Sequence, residues 1–135
     1  MTQEFDLSAF ENVDTGTFTV LDQSGEELNY GGKPVRITMH GAGSKVQVAA
    51  ERKKLKAAKA ALYSGISGRA IKNAEEDEFQ REAEYLAACT ISVENFPVPG
   101  GALAIYSNPK LSYITRQAAK FISDEANFKP GSGSI

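Results

Sequence analysis

The residues best suited to chemistry stand together at 40–45, where His40, Gly41, Ala42, Gly43, Ser44 and Lys45 follow an extended run and open a lysine-rich helix. Such a corner is where a phosphate cradle would lie, because backbone amides at a helix N-terminus are unpaired donors and the helix dipole favours an anion. The spacing argues against it. A Walker A loop has the form G-x-x-x-x-G-K-S/T, and the leading glycine is missing here. The dinucleotide fingerprint G-x-G-x-x-G meets Val46 at its third glycine, and no acidic residue follows a second strand about 20 positions on. Ser44-Lys45-Val46-Gln47 reads instead as a capping box, with the Ser44 hydroxyl and the Gln47 side chain satisfying otherwise orphaned amides. His40 has no serine or cysteine partner in its sequence context, so a nucleophilic triad has no support. Cys89 is alone in the apolar run Leu86-Ala87-Ala88-Cys89, where it forms no internal disulfide and suits a small core position better than a nucleophile. One histidine and one cysteine, far apart, do not make a zinc site. Consecutive carboxylates at Glu75, Glu76, Asp77 and Glu78 point around a helix rather than converging on one ion. We therefore expect no catalytic, cofactor-binding or metal-ligating residue, and a chain that is not an enzyme.

What remains is charge. The formal net charge of −2 conceals a division: residues 45–72 hold eight basic residues and one acidic, whereas residues 75–84 hold six acidic and one basic. The candidate interaction residues are Arg52, Lys53, Lys54, Lys56 and Lys59 on the first segment, and Glu75, Glu76, Asp77 and Glu78 on the second. The two helices could pair as an antiparallel hairpin, where surface ion pairs add about 0–1 kcal/mol each. Alternatively, the basic face of one subunit could meet the acidic face of the next, a heterologous contact that builds rings or open helices. The basic 45–59 helix could also follow a nucleic acid backbone. Against that, no aromatic residues interleave with its cations and no recognised nucleic-acid module is present.

The elements that must position these residues can be read in order. Residues 1–14 form an N-terminal arm. Thr17-Phe18-Thr19-Val20 alternates as a half-buried strand should, Asp22-Gln23-Ser24-Gly25 turns, and Gly31-Gly32-Lys33-Pro34 breaks the chain again. Val35, Ile37 and Met39 then share one face of a second strand, so residues 15–41 make an antiparallel β ribbon that needs a cover. A helix over 44–64 carries the stripe Val48, Leu55, Ala58 and Leu62, with slim alanines at 50, 57 and 61 that permit close approach of another backbone, and ends near Gly65. A second helix over 70–94 opens on its acidic run, favourably placed at the positive end of the dipole, and carries Phe79, Ala83, Leu86, Ala87, Thr90 and Val93. Asn108-Pro109 caps a third helix over 109–126, with Leu111, Ile114, Ala118, Phe121 and Ile122 inward. Residues 129–135 have the composition of a flexible tail. The predicted class is α+β and predominantly helical, a small N-terminal antiparallel sheet followed by about three helices in one domain over 15–128.

With 135 residues, 41 % hydrophobic and 24 % charged, the chain suits one globular domain. It has no apolar stretch near the roughly 20 residues needed to cross a bilayer, and no signal-peptide h-region at its N-terminus. A reduced, cytoplasmic setting without a membrane partner is expected.

In the order of these elements the chain resembles the tail assembly chaperones of long-tailed bacteriophages. The residues that carry the resemblance span roughly 15–128. They are the strand Gly16-Thr17-Phe18-Thr19-Val20-Leu21 with Asp22-Gln23-Ser24-Gly25-Glu26, the strand ending Ile37-Thr38-Met39-His40-Gly41, and the basic, alanine-rich helix opened by Ser44. Leu86-Ala87-Ala88-Cys89-Thr90 with Glu94-Asn95 follows, then a proline- and glycine-containing segment before Tyr106-Ser107. A last helix finishes in Phe121-Ile122-Ser123-Asp124 and Asn127-Phe128. The resemblance implies a non-enzymatic protein of the host cell cytoplasm that is absent from the mature virion. It would self-associate, bind the tape measure protein and help to recruit the tail tube protein, and many such chaperones also exist in a frameshift-extended form. Two alternatives are a small nucleic-acid-binding module using the 45–59 helix and a structural tail or connector subunit of the virion.

Overall fold

A computed structural model describes residues 5–66 and 74–130, with side chains described for 5–63 and 75–130. The elements run β1 (Thr15–Thr19), β2 (Asn29–Tyr30), β3 (Lys33–Pro34), β4 (Arg36–His40), α1 (Lys45–Ile66), α2 (Ala74–Cys89), β5 (Thr90–Glu94), α3 (Gly101–Tyr106) and α4 (Ser112–Ser123). The fold is α+β, as the residue pattern predicts. The main sheet is antiparallel in the order β1-β4-β5, and β2 and β3 form a separate two-residue ladder across the Gly31-Gly32 turn. Both glycines there have positive φ (61° and 78°), which favours glycine over any L side chain. The Asp22–Gly25 turn also forms where its residues suggest it, with the Asp22 carboxylate accepting from the amides of Ser24 and Glu26 at 2.8 and 3.1 Å.

One face of the sheet is dry. Val35, Ile37 and Met39 are fully buried, in keeping with their period of two. Ala83, Leu86 and Cys89 of α2, Ile105 and Tyr106 of α3, and Ile114, Ala118 and Ile122 of α4 complete the core. The ribbon needs a cover, and the second half of the chain supplies it.

Three corrections to the residue-pattern reading concern boundaries and faces. The helix predicted over 70–94 ends at Cys89, and Thr90–Glu94 pairs antiparallel with β4 as the third strand of the sheet. Thr90 and Val93 therefore belong to a strand, Val93 packing against the core from opposite Ile37. The helix predicted over 109–126 is three pieces: a 3-10 turn at Pro109–Leu111, α4, and a second 3-10 turn at Glu125–Phe128. Asn108 caps the first of these as predicted, its side chain accepting from the Lys110 amide at 3.0 Å. The third correction is to α1, where Leu55 and Leu62 are 62 % and 64 % exposed and so form no core stripe. Among the described side chains, the buried residues of α1 are Gln47 and Ala50, with Ser44 just before it. The start of the second helix and the loop at Gly68 fall outside the described residues, as do residues 131–135 of the predicted tail.

The arm before β1 is fastened to the other end of the fold. Its 3-10 turn at Leu7–Ala9 is exposed, but the Val13 amide donates to the Phe128 carbonyl at 2.6 Å. The Asn12 amide group donates to the Glu125 carboxylate at 3.0 Å, and the Gly41 amide to the Asp14 carbonyl at 2.7 Å.

Candidate functional site

The glycine corner at 41–44 spends its donors on itself. The Gly43 amide donates to Gln47 Oε1 at 3.0 Å, the Gln47 amide to Ser44 Oγ at 3.3 Å, and the Ser44 amide to the Gly41 carbonyl at 3.1 Å. This is a capping arrangement in which the glutamine reaches one residue further back than in the usual box. Gln47 continues inward, its amide group donating to the Tyr85 hydroxyl at 3.0 Å. The corner thus locks α1 to the sheet on one side and to α2 on the other. His40 pairs with Thr15 at the end of the β1–β4 ladder.

Cys89 is fully buried at the C-terminal end of α2, where burial pushes its thiol up to about 11. Burial also raises the Tyr85 and Tyr106 hydroxyls above their ordinary range, although Gln47 and Thr90 respectively oppose the shift by hydrogen bonding. A thiol held protonated in this way is a packing group rather than a nucleophile. Among the described residues, no cluster of three or more histidine, cysteine or carboxylate side chains could hold a metal ion. No helix among them is long and apolar enough to cross a membrane.

The charged segments form an antiparallel helical hairpin of α1 and α2. Gln47 meets Tyr85, Lys54 meets Glu82, and Leu55 and Ala58 border the same shallow trough as Glu75, Glu78 and Phe79. Ala50, Ala57 and Ala88 line the hairpin's other flank, where small side chains let the helices approach. Of the predicted interaction residues, Lys54 alone bridges the hairpin among the described residues. Its ammonium is ion-paired with Glu82 and lies 4.7 Å from the centre of the Tyr85 ring. Arg52, Lys53, Lys56 and Lys59 are exposed, as are Glu75, Glu76, Asp77 and Glu78, and none of these eight is ion-paired among the described residues.

Helix geometry explains the separation. Successive residues advance about 100° around an α-helix, so Lys56 lies roughly 200° from Lys54 and points away from α2. The acidic run lies in the first turns of α2, near the closed end of the hairpin. The trough beside it holds about 470 Å³, floored by Leu55, Ala58 and Phe79 and rimmed by Glu75, Glu78 and Glu82, with Arg81 on its wall. Glu82, Tyr85 and the exposed Leu55 and Leu62 were not among the predicted site residues. Glu82 continues the acidic series past Glu78, and its position four residues after Glu78 was the available signal. The chain matches no protein-family model, no curated protein and no solved structure with which it was compared.

Proposed function

We propose that this protein is a non-enzymatic tail assembly chaperone of long-tailed bacteriophages, which binds the tape measure protein and helps to recruit tail tube subunits. The observation that supports this reading is the hairpin's outer surface. Among the described residues only the first turns of α1 enter the core; further along, Leu55, which shares the floor of a trough with Phe79, and Leu62, seven residues on, are exposed. A helix that shows apolar residues on an otherwise charged surface is suited to hold the apolar stripe of a long helical client. In this role the protein works in the host cytoplasm and leaves before the virion is complete.

Co-expression with the tape measure protein of the same phage tests the reading. The expected outcome is a soluble tape measure protein, and less of it when Leu55 and Leu62 are both changed to Glu. An equally insoluble tape measure protein with and without the chaperone would overturn it. Retention of the chain in purified particles, measured by mass spectrometry, would instead support a structural tail or connector subunit. The exposed cations of α1 favour a second reading, a nucleic-acid-binding module. That reading requires binding to duplex or single strands at about 50 mM salt that weakens steeply as salt is raised.

A further inference from the structure

A groove runs beside the hairpin, between the opening turns of α1 and the end of α4. α1 packs along α2 and stands off α4, and the space left between them holds about 560 Å³. Both walls are helix faces. Gln47, Glu51 and Lys54 follow one another at i, i+4 and i+7 on α1, and Ala119, Ile122 and Ser123 at i, i+3 and i+4 on α4. Val48 and Ile122 supply apolar surface, while Ala42, Gly43 and Ala119 are small enough to leave the groove open. Carboxylates stand on both sides of it: Glu51 on α1 and Glu125 just past α4, both exposed. Each accepts from a neutral donor, the Gln47 amide group at 3.3 Å and the Asn12 amide group at 3.0 Å. Of the lining residues Lys54 alone is cationic, and it is spent on Glu82. The charges of Glu51 and Glu125 therefore stay uncompensated among the described residues.

We propose that this groove receives an amphipathic helix of a partner protein, one that carries lysine or arginine on both sides of its apolar stripe. Helix-in-groove docking lays such a stripe against apolar surface, here Val48 and Ile122. The small residues let the partner's backbone come close, and the side-chain ridges of two helix walls guide a third helix between them. Glu51 and Glu125 select for cations across the groove and repel an acidic segment or a nucleic acid backbone. Their neutral hydrogen-bond donors hold the carboxylates in place without cancelling the charge, so less ordering is left for the partner to impose. The groove uses none of Leu55, Leu62 or Phe79. It thus goes beyond the client surface proposed above, and stands whether or not that surface holds a tape measure protein.

A defined peptide tests it. The probe is a synthetic peptide of about 18 residues, long enough to hold a helix, with leucines at helical spacing and lysines on either side. A second peptide has every lysine replaced by glutamate. Amide chemical-shift mapping by NMR on the full chain is expected to place the lysine peptide at Val48, Glu51, Ala119 and Glu125, and to show no binding of the glutamate peptide. Glu51→Lys with Glu125→Lys should weaken binding about tenfold or more, because like charges then face each other. Ala119→Leu fills the groove and leaves its charges alone, so it should weaken binding without changing the salt dependence. Circular dichroism checks that the variants fold. Glu51→Gln with Glu125→Gln keeps both hydrogen-bond acceptors, serves if the lysine pair unfolds the chain, and should also weaken binding. Glu75→Gln, Asp77→Asn and Glu78→Gln together should leave binding as it is, since that acidic turn lies outside the groove. No binding at about 1 mM peptide would overturn the proposal. So would binding that survives the groove variants, equal affinity for the glutamate peptide, or shifts centred on residues 75–78. Self-association of the unaltered chain that Ala119→Leu abolishes would put a second copy in the groove and would equally overturn it.

Discussion

Phe128 is the last large side chain of the core, and it is held by absences of side chain elsewhere. A Cβ placed on Gly41 would lie 2.4 Å from Phe128 Cδ1, and one on Gly16 would lie 3.0 Å from both Phe121 Cζ and Phe128 Cε1. Phe121 lies tilted by 34° against Phe18 at 4.8 Å between ring centres and meets Phe128 edge-on at 5.2 Å. The two glycines thus form a seat for an aromatic cluster joining β1 to the segment after α4. Gly41→Ala is expected to lower stability by about 1–3 kcal/mol through overpacking. Phe128→Ala should lower it by about 3–5 kcal/mol through lost burial and the cavity left behind. Urea denaturation followed by circular dichroism measures both. Gly41 stands in a stretch that resembles a phosphate loop, and its role is to make room for a ring.

At the scale of elements, Gln47 does the joining that hydrophobic residues usually do. It bonds the Gly43 amide, the Ser44 hydroxyl and the Tyr85 hydroxyl, and so ties the strand-to-helix corner to α2. Gln47→Ala is expected to cost about 1–3 kcal/mol, because it leaves part-buried partners unsatisfied. Hydrogen exchange should show the loss first in the opening turns of α1. This polar seam also explains what could and could not be read from residue types. The Ser44 cap, the Asp22–Gly25 turn, the Asn108 cap and the Val35/Ile37/Met39 face follow from local chemistry, and all were legible. The inner face of α1 was not, because it buries Gln47 and small alanines beside Lys54, while Leu55 and Leu62 stay largely exposed. The boundary at Cys89/Thr90 was hidden for a different reason. Phe79, Ala83, Leu86, Thr90 and Val93 keep helical spacing straight across it, and the Thr90 hydroxyl still bonds the Leu86 carbonyl at 2.8 Å. The β-branched residues Thr90, Ile91 and Val93 were the signal for a strand. Of the candidate surface, the charged residues were legible individually. Their division into one bridged pair and two separated faces depends on the pairing of α1 with α2.

For the molecule as a whole, alkaline pH is the condition that tests the core. The unfolded chain releases the Cys89 proton near 9, whereas the folded chain holds it until about 11. The raised value means that the stabilising contribution is complete below pH 9 and is lost as pH rises from about 9 to 11. Tyr85 and Tyr106, also raised from 10.0, act in the same direction at the upper end of that window. The urea midpoint is expected to fall over this range, and Cys89→Ala should make its pH dependence shallower whatever its effect on absolute stability. Another property follows from the bonds that join Val13 to Phe128 and Asn12 to Glu125. These bonds already close the chain into a loop, so its connectivity can be rewired. A circular permutant linking residue 130 to residue 5 through glycines, and opened between Ser24 and Gly25, should unfold in a single cooperative step. The new ends would then emerge at the exposed β-turn, free to carry a tag or a fused domain.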